Sequence, residues 1–149
     1  MMKTVKLLTI ALLLAGCKNI LSSDSSVHFE ATIKNATIEN IEDLKASFHI
    51  TNNSDEEVEF SFSSSCQRAF RIKQDGQILL DSRKFFGCLT VITSLKLAPG
   101  EIVTYSINLD KVGSYMQKEL DSIKPGTYQL EMFLRNDQSP KISRNFRLK

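Results

Sequence analysis

Apolar and polar residues alternate with period two through most of the chain beyond residue 26. Phe29, Ala31 and Ile33 alternate with Glu30, Thr32 and Lys34, and Ala46, Phe48 and Ile50 with Ser47, His49 and Thr51. Val58, Phe60 and Phe62 flank Glu59 and Ser61, and Phe70 and Ile72 flank Arg71 and Lys73. Val103, Tyr105, Ile107 and Leu109 alternate with Thr104, Ser106 and Asn108. Tyr128, Leu130, Met132 and Leu134 form the inward set of another strand, and Ile142, Phe146 and Leu148 that of the last. A further strand is expected within Leu89 to Leu97. Such alternation is the signature of strands with one face buried and one in water.

Turn chemistry separates these segments. Asn52-Asn53-Ser54-Asp55 is a polar corner. Asp75-Gly76 between two apolar runs predicts a type I′ hairpin, whose two central residues both need positive φ. Pro99-Gly100 and Pro125-Gly126 predict type II turns, with proline setting φ and glycine taking φ > 0. Only Lys111 to Ser122 reads as helical: Val112, Tyr115, Met116 and Leu120 share a face, but Gly113 interrupts it, which suits a short crossover. Seven or eight short strands at this spacing predict an all-β fold, an immunoglobulin-like antiparallel β-sandwich, with a barrel as the alternative. The chain has no tryptophan, so phenylalanines and aliphatics must fill the core.

The N-terminus follows a different pattern. In MMKTVKLLTIALLLAGC, two lysines precede an apolar run from Leu7 to Ala15. That run is shorter than the roughly 20 residues a membrane-spanning helix needs, and suits the apolar region of an export signal. Its end, Leu14-Ala15-Gly16-Cys17, resembles the bacterial lipobox. The resemblance implies cleavage before Cys17 and lipid on its thiol and new amine. Two or more acyl chains make a stable anchor. Lys18 is not aspartate, which by general lipoprotein sorting implies the outer membrane, facing the periplasm, in a Gram-negative cell. Residues 18–26, KNILSSDSS, lack the apolar content to order themselves and read as a tether. The expected organisation is therefore a signal peptide over 1–16, lipidated Cys17 and tether over 17–26, and one domain over 27–149. A chain of 149 residues has room for one ordinary domain.

Charge then narrows the partners. The chain carries 19 basic and 17 acidic side chains. Removing Lys3 and Lys6 with the signal peptide leaves 17 of each. A nucleic-acid binder needs surplus cations to displace counterions, so that class is excluded. The expected partners are the membrane, through the lipid on Cys17, and another protein; the domain is expected to be a monomer.

With Cys17 assigned to lipid, Cys66 and Cys88 remain, 22 positions apart in an exported domain. An oxidising compartment favours a disulfide between them. A metal pair and a redox-active thiol are the alternatives, and neither has a CxxC spacing to support it.

Other candidate chemistry is sparse. His28 and His49 are not spaced to share a metal. The serine run Ser61 to Ser65 lacks the GxSxG frame that exposes a nucleophile and reads as a strand end entering a loop. Asp55, Glu56, Glu57 and Glu59 lack the spacing and glycine of a calcium loop and read as a solvated turn. Lys141, Arg144, Arg147 and Lys149 suit a solvated edge strand or contact with anionic headgroups. No cofactor and no enzymatic activity are expected.

One ordered set of motifs carries more. Phe48-His49-Ile50-Thr51-Asn52-Asn53-Ser54-Asp55-Glu56 leads through Val58-Glu59-Phe60-Ser61-Phe62, Ser63-Ser64-Ser65, Gln67 and Phe70-Arg71-Ile72 to Asp75-Gly76. Leu97-Ala98-Pro99-Gly100-Glu101 and Pro125-Gly126-Thr127-Tyr128 follow. Order and spacing over residues 44–134 resemble the BsuPI family of intracellular proteinase inhibitors. The resemblance implies an immunoglobulin-like sandwich and a protein partner, in its sharpest form a subtilisin-type serine protease. Cys66 stands where that family often has glycine, and Ala69-Phe70 where an acidic residue is expected. The alternative role is a structural, envelope-associated lipoprotein with no protease target.

Overall fold

The computed structural model describes residues 26–111 and 116–149; Cys17 and the signal segment lie outside them. Ten strands occur among these residues: β1 (Val27–Ile33), β2 (Thr37–Ile38), β3 (Lys45–Asn52), β4 (Val58–Phe62) and β5 (Arg68–Gln74), then β6 (Gln77–Asp81), β7 (Thr93–Leu97), β8 (Ile102–Asn108), β9 (Gly126–Leu134) and β10 (Ile142–Leu148). They form sheets ordered β1-β3-β8, β2-β10-β9-β5-β6 and β4-β7, in the all-β sandwich that the alternation predicts. Every pairing is antiparallel except that of β2 with the end of β10, which is parallel over Thr37 and Ile38. β2 left no mark in the pattern because two residues are too few to alternate. The Lys111 to Ser122 crossover contains one short helix, α1 (Gln117–Asp121). It buries Met116 and Leu120 against the core, while Val112 and Tyr115 lie outside the described residues.

The inward residues pack as the alternation requires. Phe48, Ile50, Phe60, Phe62, Ile72, Leu130, Met132 and Phe146 meet in one core. Phe29 stacks on Phe48 and meets Phe60 edge-on, with centroids 6.1 and 6.0 Å apart. Aromatic rings thus fill the space between the sheets that a tryptophan often occupies.

Both the polar corner and the Pro99-Gly100 turn depend on Asn52, which is wholly buried. Its Nδ2 donates to the carbonyls of Glu56, Leu97 and Ala98 at 2.7, 2.9 and 3.2 Å. Its Oδ1 accepts from the N–H and hydroxyl of Ser54 at 3.0 and 2.7 Å. Its main chain bonds to Gly100 and Glu101. The turn itself is as predicted: Gly100 takes φ of 74°, and Glu101 N–H reaches the Ala98 carbonyl at 3.0 Å. Asp75 and Gly76 likewise both have positive φ, 50° and 80°. Pro125-Gly126 departs from expectation. Gly126 has no positive φ and opens β9 opposite Leu148. Its small size matters instead, because a Cβ there would lie 3.0 Å from Gln74 Nε2.

The sheet of β5, β6 and β9 departs from the pattern more deeply. Arg71 and Lys73 read as a solvent face, yet Arg71 is only 9% exposed and Glu131 opposite it 5%. Arg71 binds Asp81 at 2.9 Å and Glu131 at 3.2 Å, Lys73 binds Glu131, and Arg83 closes over Asp81 at 2.6 Å. Phe133, buried on the same face, lies beneath Arg71, with Arg83 and Lys141 also against its ring. Long cationic stems cover apolar surface while their heads pair, so this outer face is roofed without a second layer.

Asn52→Ala leaves three carbonyls short of a donor and is expected to cost about 3 kcal/mol, roughly 10 °C in Tm by thermal melting. Asn52→Asp, which sets an anion against those carbonyls, is expected to cost more. Burial by itself would raise the Asp81 carboxyl, but hydrogen bonds from Arg83 and Arg71 outweigh it and hold the group well below its ordinary 3.8. Burial is likewise outweighed at Glu131, where Lys73 and Arg71 hold the carboxyl below 4.5. Both carboxylates therefore stabilise the fold above their unfolded values. That contribution is lost as pH falls through that range toward the folded values. Urea titration of the wild type is expected to show stability falling below those values, with a shallower fall in Asp81→Asn.

Candidate functional site

Three connections meet at one place on the surface. The first is the turn between β4 and β5, residues 63–67; the second is the long segment from Phe85 to Ile92 before β7; the third is the start of the β9–β10 hairpin at Arg135. Cys66 and Cys88 are joined in a disulfide, so the pairing favoured by compartment is the one present. Arg135 sets its guanidinium 2.9 Å from Cys88 Sγ, and its main-chain N–H bonds the Gln67 carbonyl at 2.8 Å.

The segment before β7 is held along its length. Its root is the 3₁₀ turn Ser82–Lys84, which Asp81 caps by accepting from Arg83 N–H. Buried Ser82 accepts the Phe70 N–H of β5 at 2.9 Å. In the middle, Leu89 N–H donates to Ser65 Oγ at 2.9 Å, and Ser65 N–H donates to the Leu89 carbonyl at 3.0 Å. At the far end, Thr93 Oγ1 donates to the Ser64 carbonyl at 2.8 Å. Gln67 Nε2 donates to the Ser94 carbonyl at 3.0 Å. The serine run is thus a strand end that enters a loop, as expected, and Ser64 and Ser65 bracket the segment before β7.

The loop is apolar where it meets water. Leu89 is 73% and Ile92 84% exposed, with Phe86 and Val91 about half exposed. Several large apolar side chains exposed within one short segment mark an interaction site rather than scattered surface residues. Beneath the loop, Phe85 and Phe86 border a mainly apolar cleft of about 350 Å³ that also meets Tyr105 and Met132. Arg68 lies over the Tyr105 ring at 4.5 Å.

The remaining sequence candidates fall elsewhere. His28 is exposed on β1, and His49 bonds Thr104 across β3 and β8 at 2.9 Å. Glu57 and Glu59 share Lys96 of β7 at 3.4 and 3.6 Å, so one cation is set against the four carboxylates of the acidic corner. Among the described residues no three His, Cys, Asp or Glu side chains gather where a metal would sit. No helix among them is long and apolar enough to cross a membrane. Lys149 pairs with Glu39 at 3.1 Å and Lys141 lies against Phe133, whereas Arg144 and Arg147 face solvent. β10 is an open edge until β2 covers Arg147 and Leu148. β7, Thr93–Leu97, is the strand expected within Leu89 to Leu97; the apolar loop ahead of it was not foreseen. The exposed Leu89, Val91 and Ile92 next to a bridging cysteine were the available signal.

Replacing both Cys66 and Cys88 with serine is expected to cost about 3 kcal/mol in a urea titration. The first proteolytic nick of that variant is expected between Phe86 and Thr93, under conditions in which the oxidised chain stays whole.

Residues 31–139 match the family described as BsuPI, intracellular proteinase inhibitor. No curated protein matches the sequence. Solved structures share its strand arrangement only loosely. A β-glucosidase of Erythrobacter marinus is 15% identical with a TM-score of 0.45, over 83% of this chain and 15% of that one. The alkylpurine DNA glycosylase AlkC of Pseudomonas fluorescens is 12% identical at 0.48, over 83% and 30%. A FixG-related protein of Vibrio parahaemolyticus is 10% identical at 0.38, over 83% and 97%. The chain therefore spans less than a third of the first two, and none of these likenesses bears on activity. The family match covers well over half of the chain and includes both the Asn52 corner and the bracketed loop: the chain belongs to the BsuPI intracellular proteinase inhibitor family.

Proposed function

We propose that this chain is a lipid-anchored proteinase inhibitor of the bacterial envelope, held to the membrane by acyl groups on Cys17 and acting through its sandwich domain. It works by binding a protease, not by catalysis. The observation that carries the reading is the loop from Phe85 to Ile92: apolar, exposed, and fixed to a neighbouring turn by a disulfide and by Ser64 and Ser65. A protein that must occupy a protease cleft without being consumed needs an exposed segment whose conformation is set before binding, so that little entropy is lost on docking. Membership of an inhibitor family supports the same reading. The export signal and Leu14-Ala15-Gly16-Cys17 support the anchor, and a disulfide suits the oxidising side of the membrane. On this reading the family's sandwich has been moved from the cell interior to the envelope, with Cys66–Cys88 added for service there. In a Gram-negative cell Lys18 directs it to the outer membrane, facing the periplasm.

The test uses the full chain expressed in a bacterium and purified in detergent. Intact mass is expected to show loss of residues 1–16 and added acyl groups. Cys17→Ala is expected to lose both the acyl mass and the membrane fraction. The lipidated chain is expected to silence a subtilisin-type protease at one-to-one stoichiometry. Recovery of only wall or outer-membrane components by pull-down, with proteolysis untouched, would mean a structural lipoprotein.

A further inference from the structure

We propose that the inhibitory contact is the tripeptide Thr90-Val91-Ile92, and that Ile92 enters the primary pocket of a serine endoprotease with apolar specificity. This rests on the inhibitor reading above.

The choice among the exposed apolar residues comes from the main chain. A protease binds an extended peptide through the N–H and C=O groups of alternate residues, as an added strand is bound. Leu89 is the obvious anchor by size, but both its main-chain groups are spent on Ser65, and its carbonyl also accepts the Val91 N–H at 3.0 Å. Thr90 and Ile92 differ. Neither has a main-chain hydrogen bond to any described residue. Two residues apart, they offer the alternating set of two N–H and two C=O groups that a cleft requires. Val91, between them, has its N–H turned inward to Leu89. No residue from Leu89 to Ile92 takes a positive φ; the chain bends at Thr90, where the Val91 N–H reaches back to the Leu89 carbonyl, and runs on through Ile92 into β7. Ile92 is the most exposed large apolar residue of the described chain.

The two ends of this tripeptide are fixed to the same turn. Upstream, Leu89 is bonded to Ser65 and Cys88 to Cys66; downstream, Thr93 is bonded to Ser64 and enters β7, paired with β4. Attack of the protease serine on the Ile92 carbonyl breaks the Ile92–Thr93 bond, leaving an ester on Ile92 and a free amine on Thr93; only when water displaces the serine is a carboxylate left on Ile92. Both new ends stay tethered to residues 64–66 and face each other at high effective concentration. The acyl-enzyme formed from Ile92 is then recaptured by the Thr93 amine, with release of the protease serine and no net water consumed. The loop behaves as a substrate that is not released. An aliphatic, β-branched side chain suits an apolar pocket and gives an acid-floored pocket no cation to bind.

The experiment uses the full lipidated chain in detergent, assayed against subtilisin and trypsin. Ile92→Lys is expected to weaken inhibition of subtilisin at least 100-fold and to create inhibition of trypsin. Ile102→Lys, at an exposed apolar residue of β8 outside the loop, is expected to change neither by more than tenfold. After long incubation at low protease, N-terminal sequencing is expected to find a new chain beginning at Thr93. In the Cys66→Ser, Cys88→Ser variant the same cut is expected to be rapid and inhibition transient, with circular dichroism reporting that the variant is folded. If the wild type inhibits subtilisin while Ile92→Lys leaves that inhibition intact and gains none against trypsin, or if the cut maps elsewhere, this assignment is overturned and the inhibitor reading stands. If the wild type inhibits no serine protease, both fall.

Discussion

The fold is organised around one buried amide. Asn52 ends β3, where the chain must leave one sheet and begin another, and every polar group of its side chain is used there. It ties the corner leading to β4, the end of β7 and the turn into β8 into one unit. A buried amide fully paired in this way is specific in direction, which apolar packing is not, and so sets register where the core only supplies adhesion. Because β4 and β7 are both placed by Asn52, it also determines where their far ends emerge. Those ends are Ser63 to Cys66 and Ile92 to Thr93, the two sides of the bracketed loop.

At the loop, restraints of different strength are layered. The disulfide closes a 22-residue separation and acts mainly by limiting the unfolded chain. It does not by itself dictate the path from Cys88 to Thr93. That path is set by hydrogen bonds that Leu89 and Thr93 make to Ser65 and Ser64, and by Ser82 and Asp81 at the root. The outcome is an apolar segment that stays in water because its ends leave it nowhere to fold. Exposing Leu89 and Ile92 is unfavourable in the free chain and is relieved only by a partner that covers them.

The charged roof on β5, β6 and β9 connects to the same place. Asp81 pairs with Arg71 within the sheet and with Arg83 above it, and also caps the turn from which the loop departs. Electrostatics on the outer face thus fixes the loop's root while the disulfide fixes its middle. Arginine suits this position because one guanidinium binds two carboxylates and still lies over the Phe133 ring.

Much of this was legible in sequence. Alternation located the strands, because a sheet with one wet face imposes period two on side chains wherever it lies. Asp75-Gly76 and Pro99-Gly100 announced their turns, because positive φ is a local demand that few residues meet. The pairing of Cys66 with Cys88 was expected from the export signal, with Cys17 of the three cysteines set aside for lipid. Local rules stopped where a residue's role depends on what lies across from it. Arg71 alternates as a solvent-facing residue should, and only its meeting with Glu131 from 60 positions away buries it. Asn52 read as one more turn residue until Leu97 and Ala98 arrived beneath it. Ile92 is as apolar as the leucines of the strand that follows it, and is surface because β4 ends at Phe62 and offers it no partner. Period and turn chemistry are properties of neighbours along the chain and so belong to the sequence. Which charges pair, which amide is enclosed and which apolar residue is left in water are properties of neighbours in space, and the packing of the sheets decided them.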